Sequence, residues 1–263
     1  MQLNNRYHRV FGRIPIFGMI HLAGTNPVKR ALEELAIFEE ERIDGAIVEN
    51  YHGYFEDAIA TLQETYKRKP NMIIGVNILP NEFTRSFRLA KEYGADFIQL
   101  DHVAGRYLCG NVQLDRISGN HLTLDFKNYQ KDKMKYPQLM VFGGVWPKYY
   151  QPIEGSDLET DLRTGRQRAE AIVVTGMGTG KETPLDKIVR FKEIIGTHPL
   201  IVGAGLTPDN AYEQLCMSDG AIVGSSLKVG NRTYSPIDQQ KVKDFMFVVK
   251  EAREYQEKNG MSK

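Results

Sequence analysis

Cysteine is scarce in this 263-residue chain: only Cys109 and Cys216 occur, far apart and without the paired spacing of a zinc site. That excludes a disulfide scaffold and points to a reducing compartment, so a cytoplasmic location is expected. Long apolar runs are missing as well. None approaches the roughly 18 residues that span a bilayer, which predicts no membrane insertion. Met1 to Arg13 is polar and basic and lacks the apolar core of a secretory signal. Nor is there an excess of one charge: the formal net charge of +1 gives no reason to expect nucleic acid or an anionic membrane as partner. With 41% hydrophobic and 25% charged residues, the composition excludes a disordered segment or a coiled coil. The length is close to the roughly 250 residues of one α/β barrel. One domain over residues 1–263 is therefore expected, with 1–13 as an N-terminal extension.

What is present is organised around Pro199 to Lys228. An apolar run, Leu200-Ile201-Val202, stops at Gly203-Ala204-Gly205, and Thr207-Pro208 supplies an N-cap residue and a first-turn proline. A second run, Ala221-Ile222-Val223, ends in Gly224-Ser225-Ser226. Two successive strand ends thus expose unhindered backbone N–H groups, and such paired turns cradle a phosphate. In an eight-stranded barrel the standard phosphate site lies after strands seven and eight. Lys228, just beyond, is placed where an ammonium reaches a bound phosphate; a solvated surface lysine is the plain alternative.

Six similar units precede this pair. Strands are predicted at 15–21, 44–50, 72–79, 96–101, 139–145, 171–175, 200–203 and 221–224, and helices at 27–41, 55–67, 82–93, 185–195, 208–216 and 236–255. In the first helix Leu32, Leu35, Ala36 and Phe38 form an apolar stripe. Asp44-Gly45, Gly94-Ala95-Asp96 and Asp219-Gly220 precede three of the strands, which suggests a repeated half-unit. One interval is out of proportion. Residues 102–138 form a long loop with Gly105, Gly110 and Gly119, followed by a charged helical part over 122–134. A second irregular segment, Trp146 to Ser156, carries Trp146, Tyr149 and Tyr150, which either pack the rim or stack on a ligand ring.

Barrel side chains alternate between the interior and the surrounding helices, and a charge under a helix is costly. Charged residues near strand ends are thus expected to face the open mouth. This parity selects His21, Glu49, Asn77, Asp101 and Thr175. Two carboxylates across a partly dry mouth can have their pKa values pushed apart, giving one base and one acid, so Glu49 and Asp101 are the acid–base candidates. His21, Asn77 and Thr175 are expected to orient substrate or stabilise an oxyanion. The alternative for the carboxylates is pairing with lysines or capping of helices. His21 and His102 are possible metal ligands beside them, but no close ligand motif appears, and neither a metal nor another cofactor is assigned. His8, His52, His121 and His198 are placed in loops or on the surface, and Cys109 is expected to be an inert thiol. Gly176, Gly178 and Gly180 echo a dinucleotide fingerprint without its last glycine in register. They are expected to form a loop over the mouth, with Gly176 near substrate.

The chain resembles the BtpA/SgcQ family. The likeness runs through Phe17-Gly18-Met19-Ile20-His21-Leu22, Asp44 to Asn50 and Gly75-Val76-Asn77-Ile78-Leu79. It continues in Val174-Thr175-Gly176 with Thr179-Gly180, and in Asp219 to Lys228. The resemblance implies a (β/α)8 TIM barrel of the ribulose-phosphate-binding type. It implies no single reaction, since one branch is linked to photosystem I biogenesis and another sits among sugar-metabolism proteins. Asp101 stands where the family tends to have Asn, and Phe142 to Lys148 replaces a charged run. Gly203 to Asn210 is also similar to the phosphate turn of phosphoribosylanthranilate isomerase, whose working cysteine at the end of strand one has no counterpart here. The expected function is an enzyme that isomerises, epimerises or cleaves a phosphorylated small molecule, a sugar phosphate or nucleotide-like compound. Phosphate would be held at Gly203, Gly205, Gly224, Ser225, Ser226 and Lys228. The alternatives are a non-catalytic assembly protein and a metal-assisted hydrolase. A homo-oligomer is compatible with the fold, with no residue-level signal for it.

Overall fold

The structure, a computed structural model, describes residues 4–109 and 122–258. Eight parallel strands close into a barrel: β1 (Ile16–His21), β2 (Gly45–Glu49), β3 (Ile73–Asn77), β4 (Phe97–Leu100), β7 (Met140–Gly144), β9 (Ala171–Val174), β10 (Leu200–Val202) and β11 (Gly220–Val223). All eight lie within the strands expected from sequence, give or take an end residue. Helices α2 (Pro27–Glu40), α3 (Phe55–Arg68), α4 (Phe83–Glu92), α5 (Phe126–Lys135), α6 (Leu158–Arg168), α7 (Leu185–Ile195), α8 (Pro208–Cys216) and α9 (Gln239–Lys258) surround them. This is a (β/α)8 TIM barrel. Among the described residues no helix is long and apolar enough to cross a membrane.

Alternation along each strand builds two cores. Phe17, Met19, Ile47, Phe97, Met140, Phe142, Val173, Ile201 and Ile222 fill the barrel, while Ile16, Ile20, Ala46, Val48, Ile98 and Val202 pack outward under the helices. Inside, Phe97 stacks on Phe142 with centroids 4.3 Å apart. Gly75 makes room for that pair, because a Cβ there would lie 2.3 Å from the Phe97 ring. The N-terminal extension is not irregular: Asn4–Phe11 forms helix α1, and its Tyr7 and Phe11 close the barrel floor against Phe17 and Phe142. The stripe of α2 is rotated from expectation. Ala31, Glu34, Leu35 and Phe38 are buried and Ala36 is exposed, which brings a carboxylate beneath the surface.

The repeated acidic residues have a common task. Asp44, just before β2, accepts the N–H of Ile16 on β1 at 2.7 Å, and Asp96, before β4, accepts that of Ile74 on β3 at 2.9 Å. Asp219, before β11, accepts the N–H of Leu200 on β10 at 2.9 Å. A fourth member is invisible as an Asp-Gly pair: Glu170, before β9, accepts the N–H of Val141 on β7 at 2.7 Å. Each acid therefore staples the start of its own strand to the preceding one. Three of them carry a cation, Arg253 on Asp44, Lys133 on Glu170 and Lys192 on Asp219.

Two excursions on the mouth side form a small antiparallel sheet in the order β6-β5-β8, from β5 (Arg106–Cys109), β6 (Leu122–Thr123) and β8 (Tyr150–Pro152). The segment expected to be irregular after β7 thus contains a strand, and the helix expected from 122 begins at Phe126. The last helix begins at Gln239, since Pro236 and Ile237 belong to the preceding turn and bridge. Gly110, Gly119, His121 and the Cys109 side chain lie outside the described residues. His198 is buried rather than at the surface.

Replacing Glu170, which is 2% exposed, with Ala strips an acceptor from a buried N–H and a partner from Lys133 3.0 Å away. The expected cost is roughly 3 kcal/mol of stability in urea denaturation, with a smaller loss for Glu170→Gln, which keeps an oxygen for the N–H. A loss below about 1 kcal/mol for the Ala variant would remove the staple from the account.

Candidate active site at the barrel mouth

Register places the selected side chains in one row. His21 on β1 pairs with Glu49 on β2, and Glu49 pairs with Asn77 on β3, so three inward positions lie side by side across the ladder. The Asn77 amide donates to Glu49 Oε1 at 2.7 Å and to Gln99 Oε1 at 2.5 Å, while His21 Nε2 stands 3.4 Å from Glu49 Oε2. Both oxygens of Glu49 are thus engaged, one by an amide and one by an imidazole.

Around this row lies a cavity of about 270 Å³ lined by His21, Glu49, Asp101, Thr175, Gly203, Gly205, Gly224 and Ser225. Eight of the twelve residues singled out from sequence therefore meet in one space. Asn77 sits beneath its floor, 1% exposed, and acts on the cavity through Glu49. Gly176 and Ser226 are near the wall but do not line it.

Lys228 is elsewhere. The 3-10 turn Ser225–Leu227 rotates the chain outward, and Lys228 is fully buried with its ammonium 3.4 Å from both oxygens of Glu34 on α2. An ammonium so enclosed has no path to a ligand in the mouth. Its location follows from the rotated stripe of α2, which supplies the only carboxylate on that face that a buried lysine can meet among the described residues.

Sequence alone does not single out Lys148 as a lining residue, and Tyr150, expected to pack the rim or to stack on a ligand ring, has a different partner. Tyr150 donates to Asp101 Oδ2 at 2.6 Å, a contact that depends on β8 pairing with β5 and so has no local sequence signal. Trp146, by contrast, turns away and donates its indole N–H to Asp161 at 2.9 Å. Lys148 lines the cavity on a short segment after β7 whose Trp146 and Tyr149 have φ of 48° and 68°. Its own N–H donates to Thr175 Oγ1 at 2.7 Å, so Thr175 holds this segment as well as lining the cavity. A lysine four residues past a strand end was the available signal.

The loop after β9 crosses the glycine turns. Thr183 donates to the Ala204 carbonyl at 3.0 Å, Thr179 N–H donates to the Tyr149 hydroxyl at 2.9 Å, and Thr179 and Gly180 line the cavity beside Ser225. Gly205 has φ +74° and a Cβ there would lie 2.2 Å from the Lys181 carbonyl, so this close crossing requires glycine. At the turn 225–227 the first N–H groups have no partner within the helical turn, as at any helix start.

Electrostatics divides the ionisable groups. Burial pushes the Glu49 carboxyl up to about 7, with Asp101 adding to the rise and Lys148 and the Asn77 bond opposing it. Burial also raises Asp101, against the Tyr150 hydrogen bond and Lys148. His21 is driven well below the usual imidazole range by burial, then by Lys228 and Lys148. Near neutral pH the imidazole is therefore neutral, and the 3.4 Å contact to Glu49 is not a fixed ion pair. Among the described residues no three His, Cys, Asp or Glu side chains are grouped as a metal ion needs.

The BtpA family model matches residues 21–251. An uncharacterized protein of Pyrococcus horikoshii is 25% identical, over 97% of this chain and 100% of its own length. The photosystem I biogenesis protein BtpA of Synechocystis is 24% identical, over 88% of this chain and 86% of its own. Among solved structures, N-(5'-phosphoribosyl)anthranilate isomerase from Pyrococcus furiosus superposes with a TM-score of 0.58 at 15% identity, covering 90% of this chain and 99% of that one. At that identity the likeness is one of fold.

A carboxyl titrating near 7 in the fold and near 4.5 unfolded binds more protons in the folded state. Its contribution to stability is therefore complete below 4.5 and is lost as pH rises through 7. Glu49→Gln has no such loss. The stability of the variant relative to the parent is expected to grow by on the order of 3 kcal/mol between pH 4.5 and 7.5 in denaturant titrations, and a flat difference would contradict the raised carboxyl.

Proposed function

The chain belongs to the BtpA family, and from that membership and the geometry of the mouth we propose an enzyme that performs acid–base chemistry on a phosphorylated small molecule. One observation carries the reading: a single cavity is lined both by glycine-rich turns suited to a phosphate and by Glu49, a carboxyl that burial pushes up to about 7. Gly205, Gly224 and Ser225, with Gly203 at the strand end, hold the phosphate through backbone donors. Ser226 contributes its N–H from the same turn. Glu49 removes or returns a proton at carbon, and Asp101, which accepts the Tyr150 hydroxyl, is its acid–base partner. His21, kept neutral, and Thr175 orient the substrate.

The space favours a sugar phosphate over a nucleotide. About 270 Å³ lies at the lower end of ordinary ligand pockets. Isomerisation and epimerisation begin with proton removal next to a carbonyl, and aldol-type cleavage, which begins with proton removal from a hydroxyl, passes through the same enediolate, so the geometry supports the group of reactions rather than one member. The cyanobacterial relative is named for photosystem I biogenesis, which keeps a non-catalytic assembly role as the second reading. A docking barrel, however, has no use for a carboxyl kept at a cost inside its mouth.

Incubation with pentose and hexose phosphates in D2O, followed by NMR, tests the proposal. Exchange at the carbon next to the carbonyl is expected with the parent chain and falls by a factor on the order of a hundred in Glu49→Gln. Binding of inorganic phosphate, followed by 31P NMR, persists in that variant. Undiminished exchange in the variant would remove Glu49 from the chemistry, and no exchange with any sugar phosphate in the parent would favour the assembly reading.

A further inference from the structure

Proton removal next to a carbonyl puts negative charge on oxygen, and Asn77, whose amide is committed to Glu49 and Gln99 beneath the cavity, is no donor for it. As the C–H bond breaks, the proton passes to the Glu49 carboxylate, its electron pair forms the C=C bond, and the carbonyl π pair moves to oxygen. The product is an enediolate, whose oxyanion lies in a cavity that already holds Glu49 and Asp101 and is to hold a phosphate. A cation close to that oxygen would stabilise it most directly.

Among the described residues that line the cavity, Lys148 alone is a lysine or arginine. We propose that Lys148 is a catalytic residue whose ammonium receives the carbonyl oxygen of a phosphorylated hydroxy-ketone or hydroxy-aldehyde and holds the enediolate formed from it. The inference rests on the reading of the cavity as a phosphate and acid–base site and names the substrate class for it.

Three observations support this role. The Lys148 ammonium makes no hydrogen bond or ion pair among the described residues, so it is free to meet a ligand. Its backbone is held: its N–H binds Thr175 Oγ1, and Lys187 on α7 donates to the carbonyls of Trp146 at 3.1 Å and Thr175 at 2.7 Å. The flanking Trp146 and Tyr149 adopt left-handed backbone conformations that ordinary residues avoid, and such turns persist where the surroundings enforce them. The charge also reaches the right groups. Lys148 acts on Glu49 at the end of β2, Asp101 just after β4 and His21 at the end of β1, three separate places around the mouth.

The test compares inorganic phosphate with 2-phosphoglycolate, which places a planar carboxylate where the enediolate would form, against the parent, Lys148→Met and Lys148→Arg. In calorimetric titrations the parent is expected to bind 2-phosphoglycolate more tightly than phosphate. Lys148→Met loses about tenfold or more of the 2-phosphoglycolate affinity with phosphate binding unchanged, and Lys148→Arg recovers part of it. A second readout needs no ligand. Glu49, which faces His21, Asn77, Asp101 and Lys148, should titrate higher in Lys148→Met by carboxyl 13C NMR, because a neighbouring cation lowers a carboxyl pKa.

Equal weakening of both ligands, or unchanged affinity for 2-phosphoglycolate, overturns the assignment of Lys148 while leaving the phosphate site standing. If the parent binds neither ligand, the phosphate reading falls and the Lys148 proposal with it. An unmoved Glu49 titration in a folded Lys148→Met chain also counts against it.

Discussion

A closed parallel sheet gives each strand residue only two directions, into the barrel or under the helices, and everything else in this chain depends on that choice. Closure requires that neighbouring strands start in step. The acids ahead of β2, β4, β9 and β11 do this by taking a backbone N–H from the strand before. With the starts pinned at the floor, the ends arrive at the mouth in register, and His21, Glu49 and Asn77 become neighbours across the ladder. A slip of one residue on β2 would turn Glu49 under α2 and bring Val48 to the mouth. The chemistry of the mouth is thus set at the opposite end of the barrel.

The same enclosure sets the protonation states. Water would stabilise an ionised Glu49, and burial removes it; the Lys148 ammonium and the Asn77 hydrogen bond restore only part of that stabilisation. The result is a carboxyl near neutrality beside an imidazole that stays neutral. Asp101 is raised too, yet its 2.6 Å bond from Tyr150 favours its charged form, so the two acids have unlike surroundings within one cavity.

Most of the barrel was legible because its signals are local. A β-branched run ending in glycine or a polar residue is visible in a single strand, and parity along that strand tells which end residue faces inward. Gly205 and Gly224 were readable for the same reason. What escaped depends on pairing between distant segments. Glu170 staples β7 and β9 like the three aspartates, but no Asp-Gly pair marks it. Tyr150 reaches Asp101 only because β8 pairs with β5 across the excursion after β4. Helix α1 looked like a polar tail, since its few apolar residues show their purpose only when Tyr7 and Phe11 meet the floor of the barrel.

Lys228 shows how a wrong location can leave a physical role intact. Its position after Gly224-Ser225-Ser226 suggested a phosphate contact, but the 3-10 turn sends it behind the wall, into a cluster with Glu34 and Arg30. Two cations share one carboxylate there, so the cluster keeps a surplus positive charge beneath α2. That surplus is felt in the mouth, where Lys228 adds to burial in keeping His21 uncharged. An imidazolium would pair with Glu49 and hold it ionised, whereas a neutral ring leaves the carboxyl free to take a proton. A residue that touches no ligand thereby helps to decide whether the carboxyl at the centre of the site can act as both acid and base.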